Sequence, residues 1–136
     1  MSEWEENLYS VFNGGIEMAR IGRIPRILAK AISSSTTIVR LSKSTAKKIR
    51  SKHHVTFAEL RHLGVAFHEG NVARDGKLTL AFWFESPDAE PRTIKAIIKA
   101  SSDGTDIFLK TMHPIAKHRL KALKAKTMML RERPGT

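Results

Sequence analysis

The sequence contains no cysteine. That excludes a disulfide scaffold, thiol catalysis, a cysteine-ligated zinc and an iron–sulfur cluster. It has no run of about 18 apolar residues, so no transmembrane helix is expected. The start, MSEWEE, is acidic and lacks an apolar h-region, so it does not read as a secretory signal. Glycine-rich phosphate loops are missing, since Gly14-Gly15 fits neither a Walker motif nor a dinucleotide fingerprint. No H-E-x-x-H or comparable spacing occurs, so neither a metal nor another cofactor is expected. A Ser-His-Asp hydrolase is disfavoured, because no nucleophile elbow is present and acids are few. Acids are indeed scarce: 13 Asp+Glu stand against 24 Lys+Arg, a formal charge of +11. Apolar residues make up 41% of the 136, enough for one core and too many for a disordered chain. These features describe a soluble, intracellular protein with a polyanionic partner.

The charge is unevenly placed. Residues 18–58 hold ten Lys/Arg and no acid, and residues 107–131 hold seven and no acid. Between them, residues 59–106 hold eight acids and six bases. Two basic blocks that meet in the fold would form the electrostatic footprint of a nucleic-acid binder. The plainer alternatives are an acidic protein partner or a merely solvated surface.

Residues 3–32 read as helical: Trp4, Leu8, Val11 and Phe12 recur at helical spacing, Asn13-Gly14-Gly15 interrupts, and Ile21, Ile24 and Leu28 resume. Residues 36–41 (TTIVRL) predict a strand. Ser42 is a candidate N-cap for a helix to about His53, and Thr56-Phe-Ala-Glu59 is a capping box for a helix ending at Gly64. The period then changes to two. Strands are expected at 65–67, 77–85 and 106–112, with turns at 74–76 and 103–104 and a basic helix or tail over 115–128; residues 92–100 would suit a helix through Thr93, Ile94, Ile97 and Ile98, but read as a strand because 77–85 needs a hairpin partner. The fold class is α+β: an N-terminal helical arm (1–35), then strand, helix, helix and a roughly four-stranded antiparallel sheet (36–130), and a tail (131–136). Phe82, Trp83, Phe84 and Phe108 are expected in the core, although alternation sets Trp83 opposite Phe82 and Phe84 and so permits a stacking face.

Two groups have chemical potential. The first is residues 48–54 (KIRSKHH) at a helix end. There His53 points toward the sheet and His54 toward solvent, with Lys47 and Arg50 on the outer side. A histidine so placed can act as general acid or base, and Lys52 would depress its pKa and stabilise a phosphorane. The same residues also read as an ordinary basic helix end complementing the macrodipole. The second is residues 108–114 (FLKTMHP) on the last strand, with Lys110 and Met112 on one face, Thr111 on the other, and His113 in the turn. Lys117 and Arg119 follow. A hydroxyl, a histidine and a guanidinium near a strand end suit phosphate binding, though an ordinary edge of a basic sheet would look the same.

Residues 38–119 resemble the phage-type branch of the barnase–EndoU–colicin–RelE-like (BECR) nucleases. The resemblance is carried by IVRLSKSTAKKIRSKHH (38–54), VTFAELRHL (55–63) and a strand run ending in IFLKTMHPIAKHR (107–119). It is a pattern of order and placement covering about 60% of the chain. It implies metal-independent RNA cleavage by 2′-OH attack to a 2′,3′-cyclic phosphate. His53 would match the helix-end acid or base, Lys52 its basic neighbour, and Thr111 the Ser/Thr of the last strand; Arg119 would complete the catalytic set by position. Lys47, Arg50, His54, Lys110, His113 and Lys117 would bind the nucleic acid. A catalytic glutamate like barnase's has no counterpart, Glu85 being poorly placed. The implied setting is a toxin or phage effector in the cytoplasm of a bacterial host, acting on RNA such as tRNA, with an acidic antitoxin or immunity protein as partner.

Two other readings remain open at this stage. One is a non-catalytic basic module gripping nucleic acid or a host protein. The other is an inhibitor whose helical arm docks on a partner through Leu8, Val11 and Phe12.

Overall fold

The computed structural model describes residues 2–133. Met1 and the end of the expected tail, residues 134–136, lie outside the described residues. The chain runs α1 (Glu3–Phe12), β1 (Met18–Arg23), α2 (Arg26–Ala31), β2 (Ile38–Ser42), α3 (Lys43–Ser51), α4 (Phe57–Glu69), β3 (Asn71–Arg74), β4 (Thr79–Glu85), β5 (Thr93–Ala100), β6 (Ile107–Pro114), α5 (Lys117–Lys126) and β7 (Met128–Arg131). It is an α+β fold on one seven-stranded sheet, ordered β1-β2-β6-β5-β4-β3-β7. The neighbours are antiparallel except β2 and β6, which run parallel. Among the described residues no helix is long and apolar enough to cross a membrane.

Helix starts follow from caps. Ser2 with Glu5, and Thr56 with Glu59, form reciprocal capping boxes on α1 and α4, and the Ser42 hydroxyl accepts from the Thr45 N–H to open α3. Each leaves fewer orphan donors in the first turn.

Strand alternation splits the sheet into two faces. One carries the main core: Ile21, Leu41, Phe82, Ile98 and Leu109 pack with Leu8 of α1, Ile49 of α3 and Leu63 of α4. The other face is only half covered. There α5 lays Leu123 and Leu120 over Ala73, Ala81 and Trp83 of β3 and β4, leaving the β1-β2-β6 half open.

Several expectations are corrected. The helical arm is not one: residues 18–23 form strand β1, antiparallel to β2 at the sheet edge. Ala19 and Ile21 alternate into the core there, and the spacing of Ile21, Ile24 and Leu28 mimics a helix only because α2 follows at once. Leu8, Val11 and Phe12 are buried in the protein's own core, so they are not available to a partner's groove. Gly64 does not end α4, and residues 65–67 are helix, not strand. The glycine sits where α4 crosses β1, close to the Ile21 carbonyl and to Gly22. A Cβ there would make only an ordinary contact with that carbonyl, so the glycine neither ends the helix nor is required by the crossing. The sheet has seven strands rather than four; β1 was hidden in the helical pattern, and β3 and β7 are four-residue strands with too little alternation to read. Arg131, placed in the tail, caps α4 by donating to the carbonyls of Gly70, Ala66 and Phe67 at 2.7, 3.0 and 3.1 Å. Trp83 is buried beneath α5, whereas Phe108 is half-buried on the open half and joins neither core cluster.

Candidate active site

Strand β2 accompanies β6 only through Val39↔Ile107 and Arg40↔Phe108 before its chain turns into α3. The later part of β6 therefore has a strand partner on one side only, β5. The end of α3 returns beside it.

That helix stops at Ser51, not at His53. The Lys52 and His53 N–H groups both reach the Lys48 carbonyl, at 2.9 and 3.2 Å. His54 adopts φ +55°, a left-handed conformation that reverses the chain. The turn leaves His54 exposed and His53 half-buried. The His53 ring meets the His113 ring, with centroids 5.5 Å apart at an interplanar angle of 44°.

His113 reaches this position through a bulge. Ile98 pairs with Leu109 but Ile97 pairs with Thr111, so Lys110 is an extra residue in β6. Leu109 and Met112 both face the core. Thr111 and His113 face the open side, opposite Ile97 and Lys95. Strict alternation from Leu109 would place them there only without the extra residue; the bulge bends the strand and re-aims its end. Lys110 is exposed and does not share a face with buried Met112, contrary to the expected pairing. The His113 Nδ1 lies 2.9 Å from the Pro114 carbonyl, which can only accept, so Nδ1 carries the hydrogen. In the neutral ring Nε2 then holds the lone pair.

A cavity of about 330 Å³ opens beside His113 and is lined also by Lys95 of β5 and by Arg119 and Lys126 of α5. No carboxylate lines it among the described residues. Burial, reinforced by Lys126, lowers the Lys95 pKa, with Asp75 opposing. The His53 pKa is lowered first by burial and then by the charges of His113, Lys52 and His54. The site thus sets an imidazole whose neutral form burial favours against a second imidazole that lines a cationic cavity.

Of the expected catalytic residues, His53 meets the His113 ring without lining the cavity, and Arg119 lines the cavity with His113. Thr111 shares its face one step along the strand but does not line the cavity. Lys52 is exposed at the helix end. Among the expected binding residues, Lys47, His54 and Lys110 are exposed. Arg50 is turned toward α1, its Nε donating to the Phe12 carbonyl at 3.0 Å. Lys117 lines a separate hollow with Asn71 and Trp83. His113 moves from a binding role to the centre of the group. Sequence reasoning missed Lys95, although alternation in TIKAIIKA sets Lys95 and Lys99 on the face opposite Ile94, Ala96 and Ile98.

A hollow of about 760 Å³ lies elsewhere, between α1, β1 and α4. There Arg61 is matched by Glu5 at 3.5 Å, and Glu69 joins His62 and His68 on the wall. That mixed-charge groove holds no comparable pair of contacting imidazoles. No group of three or more His, Cys, Asp or Glu is arranged to hold a metal ion among the described residues. No family model, curated protein or solved structure matches the chain.

Proposed function

We propose that the protein is a metal-independent endoribonuclease in which His53 and His113 act as the proton-transfer pair. The observation that carries this reading is the contact of the two imidazoles beside a cationic cavity. Neutral His53 takes the proton from a ribose 2′-OH, and the 2′-oxygen attacks phosphorus. The P–O5′ bond breaks, and protonated His113 gives its proton to the departing 5′-oxygen. The products are a 2′,3′-cyclic phosphate and a 5′-hydroxyl, with no water or oxidant consumed. Lys95 and Arg119 face the negative charge that builds on the phosphorane oxygens. Proton transfer by positioned groups accounts for about 10²–10⁴ in rate.

This reading fits a toxin or phage effector acting on RNA, tRNA included, in a bacterial cytoplasm. Its +11 charge would suit an acidic antitoxin or immunity protein. The test is cleavage of total tRNA and of a short RNA in EDTA, with product ends identified. Cyclic-phosphate ends that disappear in His53→Ala and His113→Ala support the pair. Cleavage that requires added metal, or that survives both substitutions, refutes it.

The open basic face of the sheet favours one second reading: a module that grips nucleic acid without cutting it. Tight, salt-sensitive RNA binding with no cleavage would establish that alternative.

A further inference from the structure

The half of the sheet left open by α5 carries an aligned row of side chains. Arg20 of β1 stands opposite Arg40 of β2, Arg40 opposite Phe108 of β6, and Phe108 opposite Lys99 of β5. Strand spacing of about 4.8 Å makes this a line of roughly 14 Å across the sheet. All four face away from the main core, and Phe108 belongs to neither apolar cluster. Arg20 and Lys99 are exposed. Arg40 and Arg20 flank a hollow of about 270 Å³. Asp106 faces this row, and its carboxylate lies 3.9 Å from Arg40 and leaves that arginine 42% exposed. One half-buried aromatic ring is therefore framed by three cations, one of them paired with Asp106. On the same face of β6, Thr111 and then His113 continue from Phe108 toward the imidazole pair, about 13 Å away at 3.3 Å per residue, since their partners Lys99 and Lys95 stand four residues apart on β5.

We propose that this row is a platform for single-stranded RNA, with one base stacked on Phe108 and the adjoining phosphates held by Arg20, Arg40 and Lys99. The inference rests on the cleavage reading only for where the strand leads, which is along β6 to His113. An aromatic face accepts any base, and flanking cations follow the backbone. A duplex buries its base faces in its own stack and gives Phe108 nothing to hold. The proposal therefore names the substrate class as well as the surface.

The test uses a fluorescein-labelled oligoribonucleotide, 2′-O-methylated throughout so that 2′-attack is blocked. It is titrated as single strand, as duplex and as the DNA of the same sequence. The wild type is compared with Phe108→Leu, Phe108→Trp and Arg40→Gln/Lys99→Gln, each checked for folding by circular dichroism. Single-strand affinity is expected to fall about tenfold in Phe108→Leu and to be kept in Phe108→Trp, with duplex affinity unchanged. Arg40→Gln/Lys99→Gln is expected to reduce the salt slope by about 0.7 for each phosphate no longer neutralised. Duplex or DNA bound more tightly than the single-stranded RNA, no oligonucleotide bound at all, or a folded Phe108→Leu with wild-type affinity would each overturn the platform. Cleavage by the wild type with no Phe108 effect sinks this proposal alone. Phe108-dependent binding without cleavage sinks the nuclease reading alone.

Discussion

Arg92 Nη2 donates to the His54 carbonyl oxygen at 3.1 Å, and the same guanidinium grips the Glu59 carboxylate through Nε at 2.9 Å and again through Nη2. One side chain at the start of β5 thus holds both the left-handed turn behind His53 and the capping carboxylate of α4. Glu59 is fully buried and also accepts from the Thr56 N–H at 3.0 Å.

Removing that guanidinium separates a structural effect from a positional one. Arg92→Ala leaves a buried carboxylate without its cation and is expected to cost about 3 kcal/mol in denaturant unfolding. Arg92→Lys keeps a charge near Glu59 but cannot bond Glu59 twice and His54 as well. We expect it to retain much of the stability and to lose cleavage about tenfold, through slack in the His53 turn. Burial raises the Glu59 pKa, but bonds from Arg92, Ser86 and the Thr56 backbone outweigh it, and the net shift is downward. Its stabilisation is thus present above the ordinary 4.5 and lost as pH falls through the lower folded value. In Arg92→Ala the acid limb of the unfolding profile should begin at higher pH than in the wild type.

The rate profile should report His53 directly. A general base must be neutral, so kcat/KM rises with pH through its titration, and that limb is expected below the ordinary imidazole value of 6.5. Burial is the first cause of the depression and survives surface substitution; His113, Lys52 and His54 add charge repulsion. Lys52→Ala should therefore move the limb upward, while the plateau rate changes little. A limb that stays in place in Lys52→Ala, or one lying above 6.5, would argue against His53 as base. The folding linkage has the same sign: the depressed imidazole contributes stability above about 6.5 that is lost as pH falls through its folded value.

Much of this was legible in the chain, for identifiable reasons. Ser42, and Thr56 with Glu59, announced two helix starts because capping chemistry is local. The β4 segment showed through its apolar run, and β5, whose isoleucines would suit a helix as well, followed because β4 needed a hairpin partner. His53 stood out as an imidazole at a helix end. What escaped depended on distant partners. Strand β1 exists because β2 is there to pair with it. Gly64 is helical because α4 continues to Glu69, burying Ala66 and Phe67 beyond it in the main core. Lys95 joins the site through cross-strand register with His113, and Arg92 through hydrogen bonds to residues 38 and 33 positions earlier. The bulge at Lys110 leaves no local mark, yet it decides how the end of β6 is aimed.

The surroundings of two glycines give opposite outcomes. A Cβ on Gly64 would meet the Ile21 carbonyl at 3.6 Å, an ordinary contact, and the backbone is helical. Gly64→Ala should therefore stabilise by about 1 kcal/mol through helix propensity. At Gly104 φ is +78° and a Cβ would lie 2.7 Å from the Ser33 carbonyl oxygen. Gly104→Ala should destabilise by about 1–3 kcal/mol and loosen the β5–β6 turn from the segment before β2. Urea titrations of the two variants would show midpoints moving in opposite directions; a shared direction would contradict this packing.

Deleting Lys110 tests whether the bulge aims the end of β6 at His53. With one residue fewer, Leu109, Thr111, Met112 and His113 can follow simple alternation, core and open face in turn, so the buried side of β6 can be kept. The deletion variant should fold with stability within about 1 kcal/mol of the wild type. What it loses is the local bend and added twist that a bulge imposes. His113 should then stand displaced from His53, and a misplacement of about 1 Å suffices for a loss on the order of 10² in rate. Melting temperature and kcat/KM, measured on the same preparation, decide the matter. Near-native stability with cleavage down a hundredfold would make the bulge a positioning device. Undiminished cleavage would show that the contact between the two imidazoles does not set the rate.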